Sequence, residues 1–326
     1  MSAASVRQLL QTRDPDCVLQ AVELIRTLRE PDLFAMALRG THLHDGHLRL
    51  GPLLSTDGTT GIHAALALLG AAPATTQRDP SLRDPAHLDL SWETLGTLPH
   101  APGFFRRLSW LDLSENPLHT LPDWVGTLAR LRGLALTRTG LARVPDALGS
   151  LTGLRALYLD SNQLTALPPA LSALDRLEDV FVNHNRLTEL STAAGWPQLR
   201  CLVASCNTIS ALPDSLPPWR RLVHLELGRN PLGSLPPWLP ELRRLEHLGL
   251  AHTDISELPE GLGALSRLRR LDLRGNPIGF LPTSLLDSLP ALRELDLRET
   301  ELSLDQVEVL RRHRRRSPLR ILRGSP

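Results

Sequence analysis

Leucines recur along most of this chain at a fixed spacing. From Leu108 the pattern LxxLxLxxNxLxxLPxxLxxL returns at Leu131, Leu154, Leu177, Leu199, Leu222, Leu245, Leu268 and Leu292, in steps of 23, 23, 23, 22, 23, 23, 23 and 24 residues. A degenerate copy, "HLDLSWETLGTLP", precedes them from His87. Such a period marks a solenoid, in which no unit buries its own apolar face and stacking builds the core. In "LRALYLDSN" the alternation sends Leu157 and Leu159 to one face and Tyr158 to the other. Each copy therefore predicts a short strand, paired in parallel with the strands of adjoining copies. Leu154, Leu164, Leu167, Leu171 and Leu174 complete the inner layer of that rung.

The polar positions in the pattern have predictable tasks. Asn162 ends its strand, and Asn116, Asn185, Asn207, Asn230 and Asn276 hold the same slot. An amide both donates and accepts, so it satisfies backbone groups of the turn that an aliphatic residue leaves orphaned. Thr139, Thr253 and Thr300 take the slot elsewhere, and Glu93 marks the least regular rung. The Leu-Pro pairs, such as Leu121-Pro122 and Leu167-Pro168, predict a short convex helical turn with proline at its first position. The rung from Leu177 to Leu199 is one residue short and has Leu190-Ser191 in place of Leu-Pro, so Trp196 is expected to be buried in place of a leucine.

The ends depart from the repeat. After Leu302, "SLDQVEVLRRHRRR" predicts a capping helix with Ser303 and Gln306 at capping-box spacing and Leu304, Val307 and Leu310 on one face. "SPLRILRG" adds a last edge strand. Near the N-terminus, "DPDCVLQAVELIRTLREPDLFAMALRG" reads as two helices, the first entered at Asp14 with Pro15 in its opening turn, the second entered after Pro31 and stopped by Gly40. "TTGIHAALALLG" predicts a third, and "AAPATTQRDPSLRDP" a connector. The expected organisation is a helical cap or accessory domain over 1–80, about ten repeats over 81–302, and a capping helix and tail over 303–326.

Composition narrows the function classes. Net charge is +1, from 36 Lys+Arg against 35 Asp+Glu, so no whole-molecule field draws nucleic acid or an anionic membrane. Every basic residue is arginine, which points to a GC-rich, bacterial coding sequence. The three cysteines make no CxxC pair and the N-terminus has no signal-peptide core, which predicts a reducing, cytoplasmic location. No apolar run reaches the roughly 18 residues of a membrane helix. Cys201 and Cys206 on one extended strand stand roughly 16 Å apart, too far for a mutual disulfide. The tract "THLHDGHLRLG" clusters His42, His44, Asp45 and His47, but its spacing fits no zinc pattern and a turn at Asp45-Gly46 accounts for it. No catalytic constellation, metal or cofactor site is expected, and no small-molecule substrate.

The outward strand positions carry more. They read Asp89, Asp112, Ala135, Tyr158, Phe181, Val203, Glu226, Gly249, Asp272 and Asp296. Ala135, Tyr158, Phe181 and Val203 are expected to form one apolar stripe on the concave sheet face. Asp112, Asp160, Asn183 and His184 make its polar margin, with Trp110, His224 and Glu226 further along the face. An exposed aromatic patch with a polar rim is what a partner-binding surface looks like.

The 23-residue spacing with "NxLxxLP" resembles the leucine-rich repeat proteins of the Ras-suppressor and Scribble type, and bacterial intracellular members with the same consensus. That resemblance implies an α/β solenoid, a horseshoe with a parallel concave sheet and short convex helical segments. It also implies a non-enzymatic scaffold whose partner is another protein; a monomer is expected. Secreted bacterial ubiquitin ligases carry similar repeats before a catalytic cysteine domain, but no segment of domain size follows residue 316 here and the cysteines Cys201 and Cys206 lie inside the repeats. A sensor fragment of an NTPase switch would need a GxxxxGK[ST] stretch, which the chain lacks. The remaining alternative is contact with nucleic acid or an anionic surface through "RRHRRR", residues 311–316, which a helix-end charge also explains.

Overall fold

The computed structural model describes residues 3–11, 15–28, 33, 36–38, 41–44, 47–49, 65–66, 86–98, 105–215, 217–313 and 319–322. The chain divides into two compact units, Met1–Leu154 and Arg155–Pro326.

In the first unit, α1 (Ala3–Gln11) and α2 (Pro15–Leu28) bury Val6, Leu10, Val18, Ala21, Val22 and Ile25. Helix α2 begins at Pro15, where the sequence pattern places it. Helix α1 was not anticipated, although Val6, Leu9 and Leu10 have helical spacing. Most of the second and third helices expected there, and the connector, lie outside the described residues. Strands β1 (His42–His44) and β2 (His47–Arg49) pair antiparallel, setting His44 opposite His47. The N-terminal region is therefore not purely helical. "HLH" and "HLR" flank the Asp-Gly turn but are too short to leave a clear strand pattern. Asp45 itself lies outside the described residues. Strand β2 pairs parallel with β3 (His87–Asp89), which continues into β4 (Trp110–Asp112) and β5 (Gly133–Ala135).

The second unit holds eight strands: β6 (Ala156–Tyr158), β7 (Asp179–Phe181), β8 (Cys201–Val203), β9 (His224–Glu226), β10 (His247–Gly249), β11 (Arg270–Asp272), β12 (Glu294–Asp296) and β13 (Arg320–Leu322). All pair in parallel and in register, so Ala156, Asp179, Cys201, His224, His247, Arg270, Glu294 and Arg320 form one column. The central strand residues Leu157, Val180, Leu202, Leu225, Leu248, Leu271 and Leu295 are buried, and the alternation leaves their neighbours on the open face.

The asparagine slot does more than close its own turn. Asn230 Nδ2 donates to Leu227 O at 2.7 Å and to Ala204 O of the preceding rung at 2.9 Å, while its Oδ1 accepts from Ile209 N at 3.0 Å. Asn116, Asn185, Asn207 and Asn276 make the same set. Threonine makes only part of it: the Oγ1 of Thr139, Thr253 and Thr300 donates to the carbonyl three residues earlier. The residue before each slot is left-handed, from Trp92 (φ 63°) through Ser161 (φ 56°) and Cys206 (φ 57°) to Glu299 (φ 58°). Such a φ disfavours ordinary residues. It is held in most rungs by an amide bond to the next, as in Cys206 N to Gly228 O at 2.8 Å.

On the return side of three rungs, proline sits one position earlier than expected. Pro122, Pro145 and Pro168 have φ of −73°, −63° and −63° with ψ of 145°, 141° and 140°, an extended cap before the 3₁₀ turns at Asp123–Thr127, Asp146–Ser150 and Pro169–Ala173. Their carbonyls accept the first turn bond, as in Leu171 N to Pro168 O at 3.0 Å. Trp196 is fully buried, as the irregular rung predicts, and its Nε1 donates to Leu171 O at 2.8 Å. Trp219 repeats the device, donating to Ala193 O at 2.9 Å, and its ring meets Trp238 edge-on at 6.1 Å.

Helix α3 (Thr283–Ser288) replaces the 3₁₀ turn in the penultimate rung, and α4 (Leu304–His313) follows the last. Ser303 Oγ accepts from Gln306 N at 3.1 Å, but the Gln306 side chain reaches Leu281 O at 2.8 Å instead of closing a capping box. Val307 and Leu310 are buried, whereas Leu304 is 58% exposed and does not belong to the capping face. At the first helical position its side chain precedes the turn that packs on the repeats. The last edge strand expected from "SPLRILRG" is β13. Arg314, Arg315 and Arg316 lie outside the described residues.

Candidate functional site

The open face of the second unit places Tyr158, Phe181 and Val203 on consecutive strands. All three are half-buried. The Tyr158 and Phe181 rings stack with centroids 4.9 Å apart and an interplanar angle of 9°. Parallel register is the cause, because it sets equivalent side chains side by side at strand spacing.

Two margin residues are bound into the scaffold. Asp160 Oδ1 accepts from Asn183 N at 2.8 Å, and Asn183 Oδ1 accepts from Ser205 N at 2.8 Å. Burial pushes the Asp160 carboxyl up, against the lowering effect of its hydrogen bonds to Asn183. His184 is exposed in a left-handed turn, φ 52°. Further along, His224 Nε2 lies 3.4 Å from Glu226 Oε1 and its ring stacks on His247 at 5.1 Å. The Glu226 carboxylate lies over Gly249, in space a Cβ there would fill. Burial, then the charges of His224 and Arg270, hold His247 below the usual imidazole range.

The remaining candidates belong to the first unit. Trp110 and Asp112 lie on β4, with the Trp110 ring over Gly133 of β5. Asp112 Oδ1 accepts from Ser114 N at 2.8 Å. Ala135 is buried, at 6% exposure, so it is not part of an exposed stripe. Its single methyl is too short to stand clear of the side chains around it.

Sequence reasoning passed over Asp179, which shares β7 and its open face with Phe181. The signal was available, since residues two apart on a strand share a face. It also placed Cys206 on a strand with Cys201, whereas β8 ends at Val203 and Cys206 sits in the following turn. Both thiols are free. Burial, then Asp179 and Glu226, push the Cys201 thiol up to about 11. A thiol so shifted carries little thiolate near neutrality, the opposite of an activated nucleophile. Proton loss then requires pH to rise through about 11 instead of 9. In a Cys17→Ser/Cys206→Ser variant, iodoacetamide should alkylate Cys201 at pH 8 roughly 100-fold more slowly than an unperturbed thiol. An ordinary rate contradicts that environment.

On the return side, Leu258, Pro259, Leu262, Phe280 and Leu285 line a groove of about 790 Å³, with Phe280 66% exposed. Among the described residues no helix is long and apolar enough to cross a membrane.

Stacked rungs, a parallel sheet with one open face and an asparagine ladder between rungs define a solenoid repeat protein. The model for the Leucine Rich Repeat family matches residues 107–128 and 267–289. Those two segments of the chain are leucine-rich repeats by that match. Among solved structures it is similar to an internalin, inlF, from Listeria monocytogenes, at 16% identity over 99% of this chain and 94% of that one, with a TM-score of 0.58. The functional domain of InlJ from the same organism matches at 21% identity over 74% and 54% of the two chains, TM-score 0.56. A TDR receptor matches at 25% identity over 72% of this chain, TM-score 0.61, and the chain spans only 42% of that receptor's length. No curated protein matches the chain. The fold is typical of protein–protein interaction domains.

Proposed function

We propose that this protein is a non-enzymatic interaction scaffold that binds a protein or peptide partner on the open sheet face of its second unit. In this reading it acts as a cytoplasmic monomer in bacterial signalling or regulation. Residues 1–80 serve as cap or accessory domain, 81–302 as repeats, and 303–326 as C-terminal cap and tail. The observation that carries the reading is the stacked, half-exposed Tyr158–Phe181 pair. These are rigid aromatics on a sheet face, in a chain with only one tyrosine and five phenylalanines. The core does not use them, because the leucine layer lies on the other side of the strands. Aromatic side chains with few rotatable bonds anchor interfaces at low entropic cost.

A photo-crosslinking phenylalanine analogue distinguishes this face from the groove on the return side. Placed at position 181, it should give a discrete adduct with a partner in native cytosol; placed at position 280, it should give none. Adducts from position 280 alone place the interface elsewhere.

A further inference from the structure

Asp179 stands between Ala156 and Cys201 on the flanking strands, beside the stacked rings. It is half-buried, and among the described residues its carboxylate makes no hydrogen bond and no ion pair within 4.0 Å. The acids around it are occupied. Glu178 is paired with Arg155 at 2.8 Å and faces Arg200 at 3.9 Å, and Asp160 holds the Asn183 amide. The Arg200 charge lowers Asp179, but burial and Glu178 outweigh it and push the carboxyl up. Asp179 in turn contributes to raising both Tyr158 and Cys201. These effects describe a local negative potential at the edge of an aromatic platform, in a molecule whose net charge is only +1.

Resting on the reading of this face as the partner site, we propose that Asp179 and the stacked Tyr158–Phe181 rings seat one arginine side chain of the partner. A guanidinium is planar and weakly hydrated. It lies against a ring face within about 6 Å of the centroid while its fork donates to a carboxylate. A lysine ammonium offers a point charge and a larger hydration penalty. Half-buried Val203 provides apolar surface for the arginine stem, which packs well on such ground. The seat is complementary in charge and shape to arginine, and a purely apolar side chain would leave Asp179 covered and unpaired, which is costly.

The single tyrosine supplies the test. Protein labelled with 3-fluorotyrosine carries one fluorine resonance, at Tyr158, which is titrated with acetyl-argininamide, its neutral isostere acetyl-citrullinamide, and acetyl-leucinamide. The arginine probe should shift the resonance with an affinity roughly fivefold or more above citrulline, and added salt should weaken it. Asp179→Asn should erase that preference without moving the melting temperature. Equal binding of arginine and citrulline, preference for leucine, or no shift with the arginine probe overturns the proposal. The crosslinking result at position 181 decides independently whether the face is an interface, so the two failures are separable.

Discussion

Asn230→Ala should lower the unfolding free energy by about 3 kcal/mol, among the largest losses available to a single polar residue here. The side chain is 1% exposed and joins two rungs through Ala204 O, Leu227 O and Ile209 N. Truncation orphans the buried Leu227 carbonyl and Ile209 amide, while Ala204 O keeps the bond from Asn207 Nδ2 at 3.0 Å, and each such orphan costs about 1 kcal/mol or more. The loss propagates, because solenoid stability is a sum of rung interfaces and this residue belongs to one of them directly. Asn230→Thr should cost roughly half as much, since a hydroxyl keeps the bond to its own rung, as Thr253 does with Leu250 O at 2.7 Å. Where threonine stands, the neighbouring backbone compensates: Gly233 N bonds to Thr253 O at 3.0 Å. Urea unfolding of the three proteins checks the order. An alanine variant within 1 kcal/mol of the parent contradicts the cross-rung account.

The same contrast explains which features could be read from sequence. The leucine layer, the asparagine column, the buried Trp196 and the terminal edge strand follow from period and alternation, because burial is a property of the face to which a residue belongs. Distances across rungs are not written that way. Leu304 has the spacing of a capping leucine but precedes the turn that makes contact. Ala135 has the outward register of Tyr158 but too little length to emerge. Asp160 and Asn183 read as a free margin, yet each spends an oxygen on a backbone amide in the next rung. The place of Asp179 on the face follows from alternation, but only the structure shows that Glu178, not it, takes the nearby arginines. The Asp45-Gly46 turn is legible in the sequence, whereas the strands that pair beside it, His42–His44 and His47–Arg49, are too short to leave a clear pattern.

The second large effect concerns binding. Tyr158 and Phe181 together form a stacked pair, and central aromatics are the side chains whose truncation most often costs 2 kcal/mol or more, about thirtyfold in affinity. Neither ring supports the core, since Leu157, Val180 and Leu159 on the opposite face are fully buried without them. The measurement that tests the central claim most directly is the affinity of Tyr158→Ala/Phe181→Ala for the partner crosslinked at position 181, taken alongside its melting curve. The account predicts at least a tenfold weaker complex and a nearly unchanged melting temperature. A double variant that binds as tightly as the parent, or one that unfolds, contradicts it.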